Sequence, residues 1–229
     1  IGFREEALFE FERVVELYPV DALAVESMLR IADVWIAEQQ WEKALATYSQ
    51  LERNAVDAEV VKLSRLQRGL LLYALGEYGE AERIFFELTQ SDQQSESVLQ
   101  AIYMRAFSVY MLGNVDESLG LCRRFIVEHP DSIWTPEVLF WMGSCRMALG
   151  QWAEAFAYYQ RIYVLYGGYP AWVAKAYIES MNCLEALGGR EEELMQTCRE
   201  MILIPALAFF PETDIARAWL ERLSGEIRP

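Results

Sequence analysis

One histidine, four cysteines and a run of three glutamates are the side chains in this chain whose type and spacing could do chemistry. His129 could serve as a general base or a metal ligand, the two roles an imidazole fills near neutral pH. It precedes Pro130 at the end of a helical pattern. That place suits a C-terminal cap or a solvated loop residue, where a cation is favoured by the helix dipole. As the only histidine it cannot build a metal site by itself. Cys122, Cys145, Cys183 and Cys198 show no CxxC or CxxH spacing, and each falls on the apolar stripe of a helical pattern. They read as small buried hydrophobes, not as disulfides or ligands. Cys145 and Cys183 occupy equivalent places on helices expected about 8–10 Å apart, too far for a bridge without backbone movement. This usage leaves the redox compartment open. Glu191-Glu192-Glu193 could be taken for a catalytic carboxylate set. At the start of a helix, however, such a run complements the macrodipole and faces water. There is no P-loop, GxGxxG or GxSxG motif. The expectation is a chain with no catalytic residues, no cofactor and no metal.

The elements that carry these side chains recur. Gly2, Gln39, Gly76, Gly113, Gly150, Gly188 and Gly225 fall into one register, at spacings of 37, 37, 37, 37, 38 and 37 residues. The phrase around Gly150, Leu149-Gly150-Gln151-Trp152-Ala153-Glu154-Ala155, is the fullest copy. A fixed period of this size marks a repeat architecture in which each unit packs on its neighbours. Within each unit the apolar residues stand at i, i+3, i+4 and i+7, which is the helical spacing, and no stretch alternates as a strand does.

The spacing predicts a helix over 3–18, then pairs at 22–38 and 41–53, 58–75 and 77–90, 96–112 and 115–128, and 136–149 and 151–166. The inward residues of the second helices include Ala44, Tyr48 and Leu51; Ala81, Phe85 and Leu88; and Ala155, Tyr159 and Ile162. In the fifth pair Gly188-Gly189 adds a residue at the turn, so Leu194, Cys198 and Met201 turn inward only after a shift of one. A last helix is expected at about 212–224. Small residues recur midway along the first helices at Ala32, Gly69, Ala106 and Gly143, where they let the partner helix approach closely. Met181 breaks this rule, and its pair is expected to splay. Pro19, Pro130 and Pro205 stop second helices. One continuous array is expected, divided as a half-repeat 1–20, repeats 21–56, 57–93, 94–130, 131–167 and 168–205, and the terminal helix. The chain opens and closes at the same inter-helix turn and lacks an initiator Met and a signal peptide, so a piece of a longer protein is expected.

Composition excludes several functions. Hydrophobic residues make up 53% of the 229, enough for a core and too many for a disordered chain. No apolar run approaches the ~18 residues of a membrane span, so direct insertion in a bilayer is not expected. The net charge of −15 argues against nucleic acid as a partner, since phosphate binding needs clustered Lys and Arg. The charge is uneven: residues 1–60 hold 13 acids and 5 bases, whereas residues 121–180 hold 5 of each and 13 of the 30 aromatics.

Leu149-Gly150, Trp152, Ala155 and Tyr159, with Pro130 filling the proline place of the preceding unit, resemble the tetratricopeptide repeat. The ordinary unit has 34 residues; this one has 37. The longer unit, with His129-Pro130-Asp131-Ser132-Ile133-Trp134-Thr135-Pro136-Glu137 between repeats, resembles the subclass of bacterial cell-envelope proteins typified by the Tol-Pal-associated coordinator and the outer-membrane assembly lipoprotein. The resemblance implies an all-α fold, an α-α superhelix of antiparallel helix hairpins, without catalysis. It also implies that the first helices line a concave face that binds extended or helical segments of other proteins, and it favours the periplasm or cell envelope over the cytoplasm.

Carried onto this sequence, the family's inward places are Leu29, Asp33 and Ile36; Leu66, Leu70 and Tyr73; Tyr103, Phe107 and Tyr110; Phe140, Ser144 and Met147; and Ile178, Asn182 and Glu185. The Lys and Asn pattern of a carboxylate clamp is absent there, which disfavours acidic chaperone tails. Two roles are open to the groove residues Leu66, Leu70, Tyr73, Tyr103, Phe107, Tyr110, Phe140, Met147, Ile178 and Asn182: holding a partner, or packing against neighbouring first helices. Depleted charge with enriched aromatics and Met is the composition of interface cores. Trp134 is open between a hydrophobic staple and a partner contact. Phe209 and Phe210, in the apolar connection Pro205–Pro211, are expected to dock on the last hairpin. The expected function is a non-catalytic scaffold or adaptor that binds protein segments. The alternatives are the recognition or regulatory arm of a larger enzyme or signalling protein, and a self-assembling array joined through exposed terminal half-repeats.

Overall fold

The computed structural model describes residues 2–19, 21–90 and 95–226. Every regular element among them is a helix: α1 (Gly2–Leu17), α2 (Ala22–Ala37), α3 (Trp41–Asn54), α4 (Ala58–Ala74), α5 (Tyr78–Thr89), α6 (Glu96–Met111), α7 (Val115–Glu128), α8 (Thr135–Ala148), α9 (Trp152–Leu165), α10 (Pro170–Leu187), α11 (Glu191–Leu203) and α12 (Pro211–Glu226), with a single 3-10 turn at Pro205–Leu207. The chain folds as two compact units, residues 1–113 and 114–229. In the first, each helix from α1 to α6 packs on the next; in the second, the same holds from α7 to α12. First helices also touch one another within each unit, α4 with α6, and α8 with α10.

The recurring glycine is explained by the way first helices end. After Leu75, Gly76 turns left-handed at φ 85°. Its N–H donates to the Tyr73 carbonyl at 3.0 Å, and the next N–H, of Glu77, donates to Leu72 at 2.9 Å. This crossed pair is a Schellman cap, which satisfies carbonyls that the helix leaves open. The same pair recurs at Gly150, where N–H donates to Met147 at 2.9 Å and Gln151 to Arg146 at 2.9 Å. Gln39 adopts the same geometry at φ 59° without being glycine. Gly225 does not share this role: it lies inside α12 and not at a turn, a correction to the expected register. At the other ends, Asp21 and Asp57 accept from Leu23 and Glu59 N–H at 2.9 and 2.8 Å and cap α2 and α4.

The midway small residues are where the hairpins close. Ala32, Gly69, Ala106 and Gly143 are all buried. A Cβ on Gly69 would stand 2.6 Å from the Phe85 ring, and one on Gly143 would stand 2.6 Å from the Tyr159 ring. In the fifth hairpin Met181 takes the place of Gly143, and α10 and α11 remain in contact. The residue that meets it is small: the Cys198 thiol lies 3.7 Å from the Met181 sulfur. Volume added on the first helix has been removed from the second.

Past α11 the apolar connection is held by Leu207, which is buried, and by the Thr213 hydroxyl donating to the Leu207 carbonyl at 2.7 Å. Phe210 is half-buried. Phe209 is 98% exposed, so the expectation that it docks on the last hairpin is overturned. The short turn directs Leu207 inward and leaves its neighbour but one facing solvent.

Candidate functional site

In the first unit, burial divides the expected groove residues. Leu66, Tyr103 and Phe107 are each 2% exposed. Tyr103 and Phe107 meet edge to face at 5.2 Å. These three pack against their neighbours and are buried. Leu70, Tyr73 and Tyr110 are half-buried, and Tyr73 meets Tyr78 edge to face at 5.3 Å. Polar cross-links brace the stack behind them: Glu52 bridges Arg65 at 2.6 Å and Arg68 at 2.8 Å, and Glu82 bridges Arg105 at 2.8 Å.

The second unit keeps more of its first-helix face open. Phe140, Met147, Ile178 and Asn182 are all half-buried. The Phe140 ring lies 5.2 Å from Tyr159 and 5.5 Å from Trp172. Lys175 stands over the Trp172 face at 4.5 Å, a cation–π contact. The Tyr159 hydroxyl donates to the Met147 sulfur at 3.2 Å, so that ring is held from both ends of its pocket. Asn182 donates to Glu179 at 3.1 Å, and Glu185 pairs with Arg222 at 2.7 Å, which gives Glu185 a bracing role. One turn before Phe140, Glu137 is half-buried. Burial pushes its carboxyl up to about 7, against the pull of Lys175. Trp172, in the first turn of the proline-started helix α10, was not among the expected groove residues because it sits off the apolar stripe.

The reactive side chains are disposed as structural groups. All four cysteines are free and buried. Burial pushes the Cys183 thiol up to about 12 and Cys198 up to about 11, so neither supplies thiolate at neutral pH. His129 is the C-cap of α7, its N–H donating to the Phe125 carbonyl at 2.8 Å and its ring tilted on Phe125 at 5.3 Å. Glu191, Glu192 and Glu193 occupy the first turn of α11, and Glu193 pairs with Arg190. Trp134 is the half-buried N-cap residue of α8. Among the described residues no group of three or more His, Cys, Asp or Glu could hold a metal ion, and no helix is long and apolar enough to cross a membrane. A concavity that the repeat pattern did not indicate lies in the first unit at the ends of α1 and α3. It has a volume of about 430 Å³ and is lined by Val15, Met28, Leu51, Val56 and Val60 among others.

The tetratricopeptide repeat family model matches residues 26–55, 100–132 and 137–168. These stretches cover a large part of α2 and α3, most of α6 through α7, and α8 with α9. No curated protein matches the chain in sequence. Solved structures share the fold at low identity. BtubC (BKLC) from P. vanneervenii superposes with a TM-score of 0.69 at 14% identity, over 100% of this chain and 92% of that one. PilW, a widely conserved type IV pilus biogenesis factor, gives 0.66 at 15% identity, over 93% and 90%. A tetratricopeptide repeat protein from Parabacteroides merdae ATCC 43184 gives 0.58 at 18% identity, over 97% and 78%. With its left-handed helix caps, its small-residue joints and these matches, the chain has a tetratricopeptide-repeat-like fold of antiparallel helix hairpins, with three stretches that match the repeat itself.

Proposed function

We propose that this protein is a non-catalytic scaffold that holds segments of partner proteins against the first helices of its hairpins. The observation that carries the reading is the face of α8 and α10, where Phe140 and Trp172 pack together yet stay half-exposed with Met147, Ile178 and Asn182 beyond them. Aromatic and Met side chains on a rigid helical face bury large area at small entropic cost, which is what interface anchors require. The fold is one typically used for protein–protein interaction. YrrB, a tetratricopeptide repeat protein of 18% identity and TM-score 0.50, carries what is described as an unusual peptide-binding site. The 37-residue unit supports placing the protein among the cell-envelope repeat proteins.

Residue-specific photo-crosslinking tests this reading. A benzoyl-phenylalanine at Phe140 or Trp172 is expected to trap a discrete set of proteins in cells. The same group at Gln50, exposed on a second helix, is expected not to. Equal trapping from all three sites, or from none, counts against the face. Phe107 is a poor probe, because its burial makes any substitution a test of packing.

A further inference from the structure

The outward faces of the second helices in the second unit carry a pattern that the fold does not require. Val127, Val164 and Leu203 stand at equivalent places near the ends of α7, α9 and α11, and are 79%, 66% and 78% exposed. One turn before each is an exposed arginine: Arg123 and Arg124 before Val127, Arg161 before Val164, and Arg199 before Leu203. None of these arginines makes an ion pair among the described residues, whereas Arg146, Arg190, Arg217 and Arg222 nearby all do. The counter-charges on the same turns are Glu128 and Glu200, which leaves the row net positive. The corresponding places in the first unit are Glu16, Arg53 and Gln90, so an exposed aliphatic there is no property of the repeat. A repeated Arg-plus-aliphatic ridge in a chain of net charge −15 needs a reason outside the fold.

The complement lies on α1. Its outward face holds Glu5, Glu6, Glu10 and Glu16 against a single Arg13, which is already shared with Glu10 at 3.8 Å. Phe9 and Leu17, both exposed, are set into this acidic face, about 12 Å apart along the helix at 1.5 Å per residue. Acid with two apolar anchors on one surface matches arginine with aliphatic anchors on the other.

We propose that two copies of this protein associate head to tail, the outward face of α1 of one copy seating on the Arg123–Leu203 ridge of the next. The inference is independent of the first-helix binding face. Because the two surfaces differ, the contact is heterologous, and assembly continues beyond a dimer unless the rotation closes a ring. The attraction between exposed charges makes the association fall steeply with salt.

Sedimentation velocity of the full chain over a concentration series, at about 0.05 M and 0.5 M salt, tests this. Concentration-dependent growth at low salt is expected, weakened at least tenfold at high salt. Arg161→Glu with Arg199→Glu is expected to give a monomer, and so is Glu6→Arg with Glu16→Arg, each with unchanged helical circular dichroism. Mixed one to one, the two variants are expected to associate again, because the first retains a native α1 face and the second a native ridge. Misfolding cannot produce that rescue. A monomer at every concentration, or association indifferent to both variants, overturns the proposal. So does wild-type protein that stays monomeric yet pellets with phosphatidylserine vesicles in a manner abolished by the arginine reversals, which would assign the ridge to a lipid surface.

Discussion

The fourth and fifth hairpins solve one packing problem in opposite ways. Between α8 and α9 the first helix gives up its side chain at Gly143, and the second supplies a whole aromatic ring at Tyr159. Between α10 and α11 the first helix supplies Met181, and the second answers with Cys198. Both pairs are fully or almost fully buried. In these two hairpins the volume that one helix gives up at the joint is supplied by the other. The identity of the small residue is free, and so is the helix that carries it.

The sharpest way to break this comparison is to give hairpin four the first-helix residue of hairpin five. Gly143→Met alone forces its side chain into the Tyr159 ring, which is pinned by Met147 and by Ser144 at 3.3 Å. A loss of about 3 kcal/mol or more in unfolding free energy is expected. Adding Tyr159→Cys to it rebuilds the hairpin-five pair, and urea denaturation is expected to recover more than half of the loss. Purely additive losses would show that the two hairpins are not interchangeable. Met181→Ala opens the reciprocal gap in hairpin five, where Cys198 cannot fill it. A cost of about 2–3 kcal/mol is expected by the same measurement.

How much of this was legible in the sequence follows from the same joint. The repeat period, the twelve helices and the closing residues Gly69 and Gly143 could all be read, because each is enforced by local geometry: a left-handed cap, an apolar stripe, a missing Cβ. Met181 could be seen to break the rule, but the small residue that meets it could not, since Cys198 is a long-range partner. Leu66, Tyr103 and Phe107 were open between holding a partner and packing and are buried, a distinction out of reach of helical periodicity, which tells inside from outside but not how deeply a neighbour covers a stripe. Trp172 was left out for the converse reason. Phe209 was misjudged because an apolar connection is usually covered, and here only Leu207 was.

The turns that precede the second helices offer a milder contrast. Gly150 reaches φ 70° at no steric cost, whereas Gln39 holds φ 59° with a Cβ in place. Gln39→Gly is therefore expected to raise the melting temperature slightly, by about 0.5–1 kcal/mol in stability. Gly150→Ala is expected to lower it by a similar amount. If Gln39→Gly is destabilising, the entropy gained by the unfolded chain outweighs the strain relieved, and the left-handed turn is not where the repeat spends its glycine.

A contrast of similar size separates hairpins four and five by pH. Glu137 on α8 has its carboxyl raised to about 7 by burial, with Lys175 on α10 opposing that shift. A carboxyl raised from 4.5 in the unfolded chain keeps its proton in the folded protein through that interval. The folded state then binds more protons than the unfolded one, so stability is fully present below pH 4.5, falls as pH rises to about 7, and is flat above. Glu137→Gln cannot ionise. It is expected to match the wild type at pH 4 and to exceed it at pH 8, by about 1 kcal/mol because the half-buried carboxyl keeps some water. Lys175→Met removes the opposing cation and is expected to widen the wild-type loss between the same limits. Parallel melting curves for wild type and Glu137→Gln across pH 4–8 would show instead that the carboxyl is fully hydrated, and that the aromatic face beside Phe140 is wetter than its packing against Trp172 indicates.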